Sequence, residues 1–150
     1  MEATVLKTQD AIKELNELIE LDFDAIAAYD SAINRLQSAE YKRKLKEFKQ
    51  DHRRHVTELS KFIRKLGGEA ADSGDLKKIL TQGKVVIANI VGDDKTILKA
   101  MKLNEDQTNL KYEKAVQEFG ASEELAALLA TNLEDERRHR EWILSTLQSG

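Results

Sequence analysis

The sequence has no cysteine and no proline, only seven glycines in 150 residues, and 5% aromatic side chains. The absence of cysteine excludes disulfides, thiolate metal sites and cysteine nucleophiles, and makes a reducing compartment, the cytoplasm, the natural setting. The absence of proline removes the residue that a helix interior tolerates least, so long helices are open to this chain. Long apolar runs are missing too. The longest nearly unbroken one, VVIANIV from Val85 to Val91, falls far short of the ~20 residues of a membrane span, and the opening MEATVLKTQD is polar, with no hydrophobic signal region. A soluble protein with no membrane partner is expected.

Neither sign of charge dominates: the net charge is −3, with 34% of residues charged. One stretch, YKRKLKEFKQDHRR from Tyr41 to Arg54, is basic. It reads as the solvated face of a helix, so no nucleic-acid partner is expected. A chain of this length is expected to form one domain and to bury roughly two-thirds of its extended surface without cross-links.

What is present is helical periodicity. Leu15, Leu18, Ile19, Ile26, Tyr29, Ile33 and Leu36 recur at three- and four-residue steps and predict a first helix over about 8–37. Leu45, Phe48, Val56, Leu59, Phe62, Ile63 and Leu66 predict a second over 40–66, closed by Gly67 and Gly68. A third is expected over 93–119, with Asp93 or Asp94 as N-cap, and a fourth over 122–148, with Ser122 as N-cap. The intervening 67–92 reads as a long crossover carrying two short helical pieces, the second from Lys84 to Val91. The predicted architecture is all-α: two antiparallel helical hairpins joined by that crossover into a four-helix bundle.

The chain has three histidines, all within the segments FKQDHRRHVTEL (Phe48–Leu59) and LEDERRHREWIL (Leu133–Leu144). Placing Asp51 on Asp135 puts His55 on His139 and sets His52 opposite Glu136, an offset of 84. A second offset, 83, places Asp22 on Glu105 and Tyr29 on Tyr112. Seven residues of helix are about two turns with only ~20° of rotation, so each carboxylate shares a face with its tyrosine. That face is the apolar one. Six ionisable groups therefore point into one core, where an unpaired charge costs several kcal/mol, and something must compensate them.

Residues i and i+3 are neighbours on a helix, so Glu136 and His139 can offer an oxygen and a nitrogen to one ion or to adjacent ions. Bundles that hold two metal ions draw a carboxylate from each of two helices and a Glu-x-x-His pair from each of the other two. The metal candidates are accordingly Asp22, His52, His55, Glu105, Glu136 and His139. Asp51 is held in reserve for His52. Asp51 and Asp135 are otherwise either partners of a histidine ring N–H or simply exposed, and Arg53, Arg54, Arg137 and Arg138 read as exposed ion pairs. Tyr29 and Tyr112 are the catalytic candidates, read first as buried hydroxyls that hold a ligand carboxylate and second as redox participants. Nitrogen and oxygen donors without thiolate suit two iron ions or manganese, and imidazole also accepts zinc.

On these residues the chain resembles the ferritin-like superfamily, which includes bacterioferritin and rubrerythrin, and within it a family of small bacterial ferritin-like proteins of unknown function. DFDAIAAYDSAI (Asp22–Ile33) is similar to the first ferritin-like helix, EDQTNLKYEKAV (Glu105–Val116) to the third, and Glu136-x-x-His139 to the motif of the fourth. The resemblance implies a di-iron oxidase or peroxidase, with dioxygen or peroxide as partner, ferrous iron itself as a further candidate substrate, and an electron donor outside the chain. The departure is His52, where di-iron members carry a bridging glutamate; Asp22 in place of glutamate is a milder change. The competing reading is a metal-free structural or stress-associated bundle acting through oligomerisation. Val85, Val86, Ile87, Ile90 and Val91 cover most of a short helix, which leads to the expectation of a homodimer in which the crossover takes part.

Four carboxylates and two neutral histidines would supply −4 to two ferrous ions, whereas Asp22, Glu105 and Glu136 supply −3. The missing attraction grows with metal charge, so oxidation is harder here than in a four-carboxylate site. His52→Glu is therefore expected to bind ferrous iron more tightly and to oxidise it faster. The measurement is ferric absorbance after oxidant is added to anaerobically loaded protein. Weaker binding or slower oxidation in a folded variant would show that the site is built around His52.

Overall fold

The computed structural model describes residues 2–72, 92–119 and 123–149. Four helices make up the described chain: α1 (Glu2–Arg35), α2 (Ala39–Lys65), α3 (Asp94–Phe119) and α4 (Glu123–Ser149). α1 packs on α2 and α3 on α4 as two hairpins, which meet along α1 with α3 and α2 with α4. This is the expected bundle, with α1 beginning earlier than the periodicity indicated. The short helical pieces of the crossover, the Ser122 cap and the Val85–Val91 stripe lie outside the described residues.

Local sequence sets both ends of α2. Ser38 caps α2, its hydroxyl oxygen accepting the Tyr41 N–H at 3.2 Å. At the other end of α2, Gly67 adopts φ of +87°, a conformation that side chains with a Cβ disfavour. The Gly67 and Gly68 N–H groups then return to the Arg64 and Ile63 carbonyls at 3.0 and 2.9 Å. The chain beyond is tied to α1 through Asn16, which donates to the Glu69 carbonyl and accepts from the Ala71 N–H.

The two aspartates at the start of α3 divide two tasks. Asp93 is the cap, its Oδ1 accepting from the Thr96 N–H and hydroxyl at 2.9 and 2.8 Å. Asp94 reaches across to the other hairpin and accepts the backbone N–H groups of Gln37 and Ser38 at 2.7 and 2.9 Å. The turn between α1 and α2 is thus fastened to the first turn of α3.

The core has three tiers. One apolar tier contains Tyr29, Leu36, Leu45, Phe48, Ile97, Met101 and Ile143, with Trp142 packed against it. The other contains Leu15, Ile19, Leu59, Ile63, Tyr112, Leu125 and Leu129. Along every helix the two tiers are separated by buried polar side chains: Asp22 on α1, His52 and His55 on α2, Glu105, Thr108 and Asn109 on α3, and Asn132, Glu136 and His139 on α4. The order of tiers along each helix makes α1 antiparallel to both α2 and α3, and parallel to α4.

Candidate metal centre

All six predicted ligands are fully buried in the middle tier, and each helix contributes to it. They form two overlapping groups of four, Asp22–His52–His55–Glu136 and His52–Glu105–Glu136–His139. Within each group the offered oxygen and nitrogen atoms lie within 4.8 Å of one another. His52 and Glu136, which the repeat makes equivalent, belong to both groups; Asp22 with His55 flanks one side, and Glu105 with His139 the other.

Shared contacts draw the groups together. Asp22 Oδ1 lies 2.7 Å from His52 Nδ1 and 3.1 Å from His55 Nδ1. Glu105 Oε1 stands 3.5 Å from both His52 Nε2 and His139 Nδ1. Glu136 Oε1 is 3.4 Å from the Nδ1 atoms of His52 and His55. On α2 His55 is buried in the tier, whereas the next residue, Val56, is only partly buried.

The supports cross from one half of the repeat to the other. Tyr29 on α1 donates its hydroxyl to Glu105 on α3, and Tyr112 on α3 donates to Asp22 Oδ2 on α1 at 2.6 Å. Asp51 on α2 meets Nε2 of His139 at 2.8 Å, and Asp135 on α4 meets Nε2 of His55 at 3.0 Å. Arg54 pairs with Asp135, and Arg138 with Asp51 at 2.7 Å, closing a quartet between α2 and α4. Of the two roles open to Asp51 and Asp135, the structure gives both that of histidine partner. Such partners fix the ring orientation and raise the basicity of a ligating imidazole.

Sequence reasoning missed Thr108, Asn109 and Asn132. The Thr108 hydroxyl lies 2.8 Å from Glu136 Oε2 and 3.0 Å from Glu105 Oε2, so its single proton serves one of the two. Asn109 donates to the Glu105 carbonyl at 2.7 Å and also reaches that of Glu136 at 3.1 Å. The available signal was position: Thr108 and Asn109 follow Glu105 by three and four residues, and Asn132 precedes His139 by seven.

A protein-family model described as a domain of unknown function, DUF2383, matches residues 10–118. The chain belongs to the DUF2383 family. The matched stretch includes Asp22, His52, His55 and Glu105 and stops before α4. No curated protein matches this DUF2383 chain. Among solved structures it is similar to ferritin-like, diiron-carboxylate proteins from Bacillus anthracis, at 20% identity and TM-score 0.73, covering 93% of this chain and 96% of that one. It is also similar to the bacterioferritin-related protein of Bacteroides fragilis, described as a dodecameric thioferritin, at 16% identity and TM-score 0.80, over 95% and 86% of the two chains. Dps from Thermosynechococcus elongatus matches at 15% identity and TM-score 0.77, over 98% and 95%. The fold of this DUF2383 member is therefore a ferritin-like four-helix bundle.

Electrostatics ties the tier of this DUF2383 chain together. Burial pulls the His52 pKa down, but Glu136, Asp22 and Glu105 outweigh it and raise it to about 10. Burial is likewise overcome at His55 by Asp22, Asp135 and Glu136, which push it up to about 12. Asp51 and Glu105 raise His139 in the same way. Burial opposes ionisation of Asp22 and Glu105, yet the histidines beside them hold both carboxyls below the ordinary range. Glu136 moves the other way, raised by burial, and by Glu105, to about 7 against the pull of His52. Burial, then the neighbouring Glu105 and Asp22 carboxylates respectively, keep the Tyr29 and Tyr112 phenols protonated.

A histidine whose folded pKa is raised stabilises the fold fully below its unfolded value of about 6.5, and that contribution is lost as pH climbs toward the folded value. The metal-free protein should therefore lose melting temperature between pH 6.5 and about 10. A bound divalent cation requires neutral imidazoles, so its affinity should rise through the same window, above the pH of about 6 expected for ordinary histidines. Loading should flatten the loss. Thermal unfolding by circular dichroism, with and without metal, tests this; a pH-independent melting temperature for the metal-free protein would contradict it.

Proposed function

We propose that this protein binds two divalent metal ions, iron foremost, through Asp22, His52, His55, Glu105, Glu136 and His139, and reacts with dioxygen or peroxide as a ferritin-like oxidase or peroxidase, or handles ferrous iron itself. The observation that carries this reading is the pair of buried four-residue groups sharing His52 and Glu136. The donors fit iron: oxygen and nitrogen without thiolate, with His52 Nε2, His139 Nδ1 and Glu136 Oε1 buried and lacking a hydrogen-bond partner among the described residues. Manganese or zinc would meet the same donors. Two ferrous ions, if bound there, would together supply the two electrons that take dioxygen to peroxide or peroxide to water.

The chain's own residues hold and shield the centre. Tyr29 and Tyr112 orient Glu105 and Asp22 by hydrogen bonding. Asp51 and Asp135 anchor the outer nitrogens of His139 and His55. Leu15, Leu59, Phe48 and Met101, fully buried in the tiers on either side, keep water away. An external donor would return electrons.

A second reading, a metal-free structural bundle, is favoured by one feature: the histidines and tyrosines of the tier already match Asp22 and Glu105. Metal analysis of protein purified without added metal, followed by anaerobic ferrous loading, separates the two. About two iron per chain and ferric absorbance on adding oxidant are expected. A folded chain that takes up no iron under either condition supports the structural reading and ends the first.

The assembly we propose is a homodimer, the coarsest form of the oligomerisation named for the Bacteroides protein. Leu103 and Leu110, two turns apart on α3, are 62% and 67% exposed and offer apolar surface for it. Light scattering at tens of micromolar should give twice the chain mass of 17.0 kDa; a monomer would refute the dimer.

A further inference from the structure

The repeat makes the two sides of the centre look equivalent, but the two residues they share are not. A carboxylate has two oxygens and can serve two ions a few ångströms apart. A neutral imidazole has one lone pair, because its other ring nitrogen carries hydrogen. His52 can therefore complete one side of the centre but not both.

The hydrogen bonds indicate which side. His52 Nδ1 lies 2.7 Å from Asp22 Oδ1, a carboxylate oxygen that only accepts, so Nδ1 keeps its hydrogen when the ring is neutral and binds metal. His52 Nε2 has no hydrogen-bond partner among the described residues and faces Glu105 Oε1 at 3.5 Å. His139 has the same character: Nε2 is held by Asp51 at 2.8 Å, while Nδ1 is without a partner and 3.5 Å from the same Glu105 oxygen. The His139 ring is further fixed by stacking on Phe48, with centroids 4.2 Å apart and planes at 30°.

The opposite side is closed. His55 has both nitrogens engaged, Nδ1 with Asp22 Oδ1 at 3.1 Å and Nε2 with Asp135 Oδ2 at 3.0 Å. Asp22 is equally committed, one oxygen to two histidines and the other to Tyr112. The repeat counterpart of Phe48 is Asn132, so His55 lacks the equivalent apolar stacking partner. Two uncommitted ring nitrogens thus face Glu105, and none faces Asp22.

We propose that the centre fills in a fixed order: a first divalent cation at His52 Nε2, His139 Nδ1, Glu105 and Glu136, and a second, more weakly, at Asp22 and His55, whose mutual hydrogen bonds must first open. This deepens, and rests on, the metal-binding reading above. It also sets the condition for reactivity. A half-filled centre with one ferrous ion has one electron to give, so two-electron reduction of an oxidant waits on the Asp22 side.

The full-length, metal-free chain labelled with ¹⁵N-histidine and titrated with Zn²⁺ tests the order directly, because only three imidazoles give signals. Up to one ion per chain, the ring nitrogens of His52 and His139 should shift while those of His55 stay in place; the second equivalent should move His55. Calorimetry should show the first ion bound at least tenfold more tightly. His55→Gln should retain the tight step and His139→Gln should lose it. The wild-type ring signals decide the matter even if a variant misfolds. Shifts of His55 with the first equivalent, or two indistinguishable ions, would overturn the order and leave the metal reading standing. No ring shift and no heat in folded protein would overturn both.

Discussion

The structure turns on one constraint: three carboxyl groups and three imidazoles are enclosed at the same level of a bundle whose other levels are apolar. None of these groups could be charged there alone, because an isolated ion loses several kcal/mol of hydration on burial. They are tolerable only as a set, each carboxylate facing a ring nitrogen and each outer nitrogen facing an aspartate. The same mutual dependence makes the tier receptive to cations, since protons on the histidines and a metal among the carboxylates are alternative answers to one charge imbalance.

The internal repeat carries this arrangement further than a list of donors suggests. The tyrosine and aspartate supports all cross between hairpins: Tyr29 holds Glu105, Tyr112 holds Asp22, Asp51 holds His139 and Asp135 holds His55. Each hairpin brings its own carboxylates and imidazoles together, and docking the two hairpins adds the tyrosine and aspartate supports that complete the tier. Departures from the repeat then have meaning. His52 against Glu136 and Phe48 against Asn132 are the places where an approximately two-fold centre becomes two unlike sides.

Much of the fold was legible in the sequence because its signals are local and strong. The absence of proline, the three- and four-residue apolar spacing and the paired glycines after Leu66 place the helices and the end of α2. The six buried donors were legible for another reason, as ionisable side chains on apolar stripes at matching repeat offsets. The roles of Asp51 and Asp135 could not be decided, since their positions on the helix allowed both an exposed and an inward reading until the separation of α2 and α4 was known. Thr108 and Asn109 escaped because small polar residues inside a helix carry no periodic signal of their own; their spacing from Glu105 gains meaning only from their contacts with Glu105 and with Glu136 on the neighbouring α4. The choice of Asp93 over Asp94 as cap depended on the remote Gln37–Ser38 turn, which a local reading does not see.

That turn also bears on how the two hairpins are aligned. A helix displaced by one residue advances 1.5 Å and rotates by about 100°, enough to swing Glu105 out of its tier. The two hydrogen bonds from Asp94 to the backbone of Gln37 and Ser38 fix the start of α3 against the top of the first hairpin, eleven residues before Glu105. They act as a ruler built into the end of the bundle. Register between the halves is then set by a direct fastening of one hairpin to the other, and the span of chain that connects them in sequence is relieved of the task of measuring it.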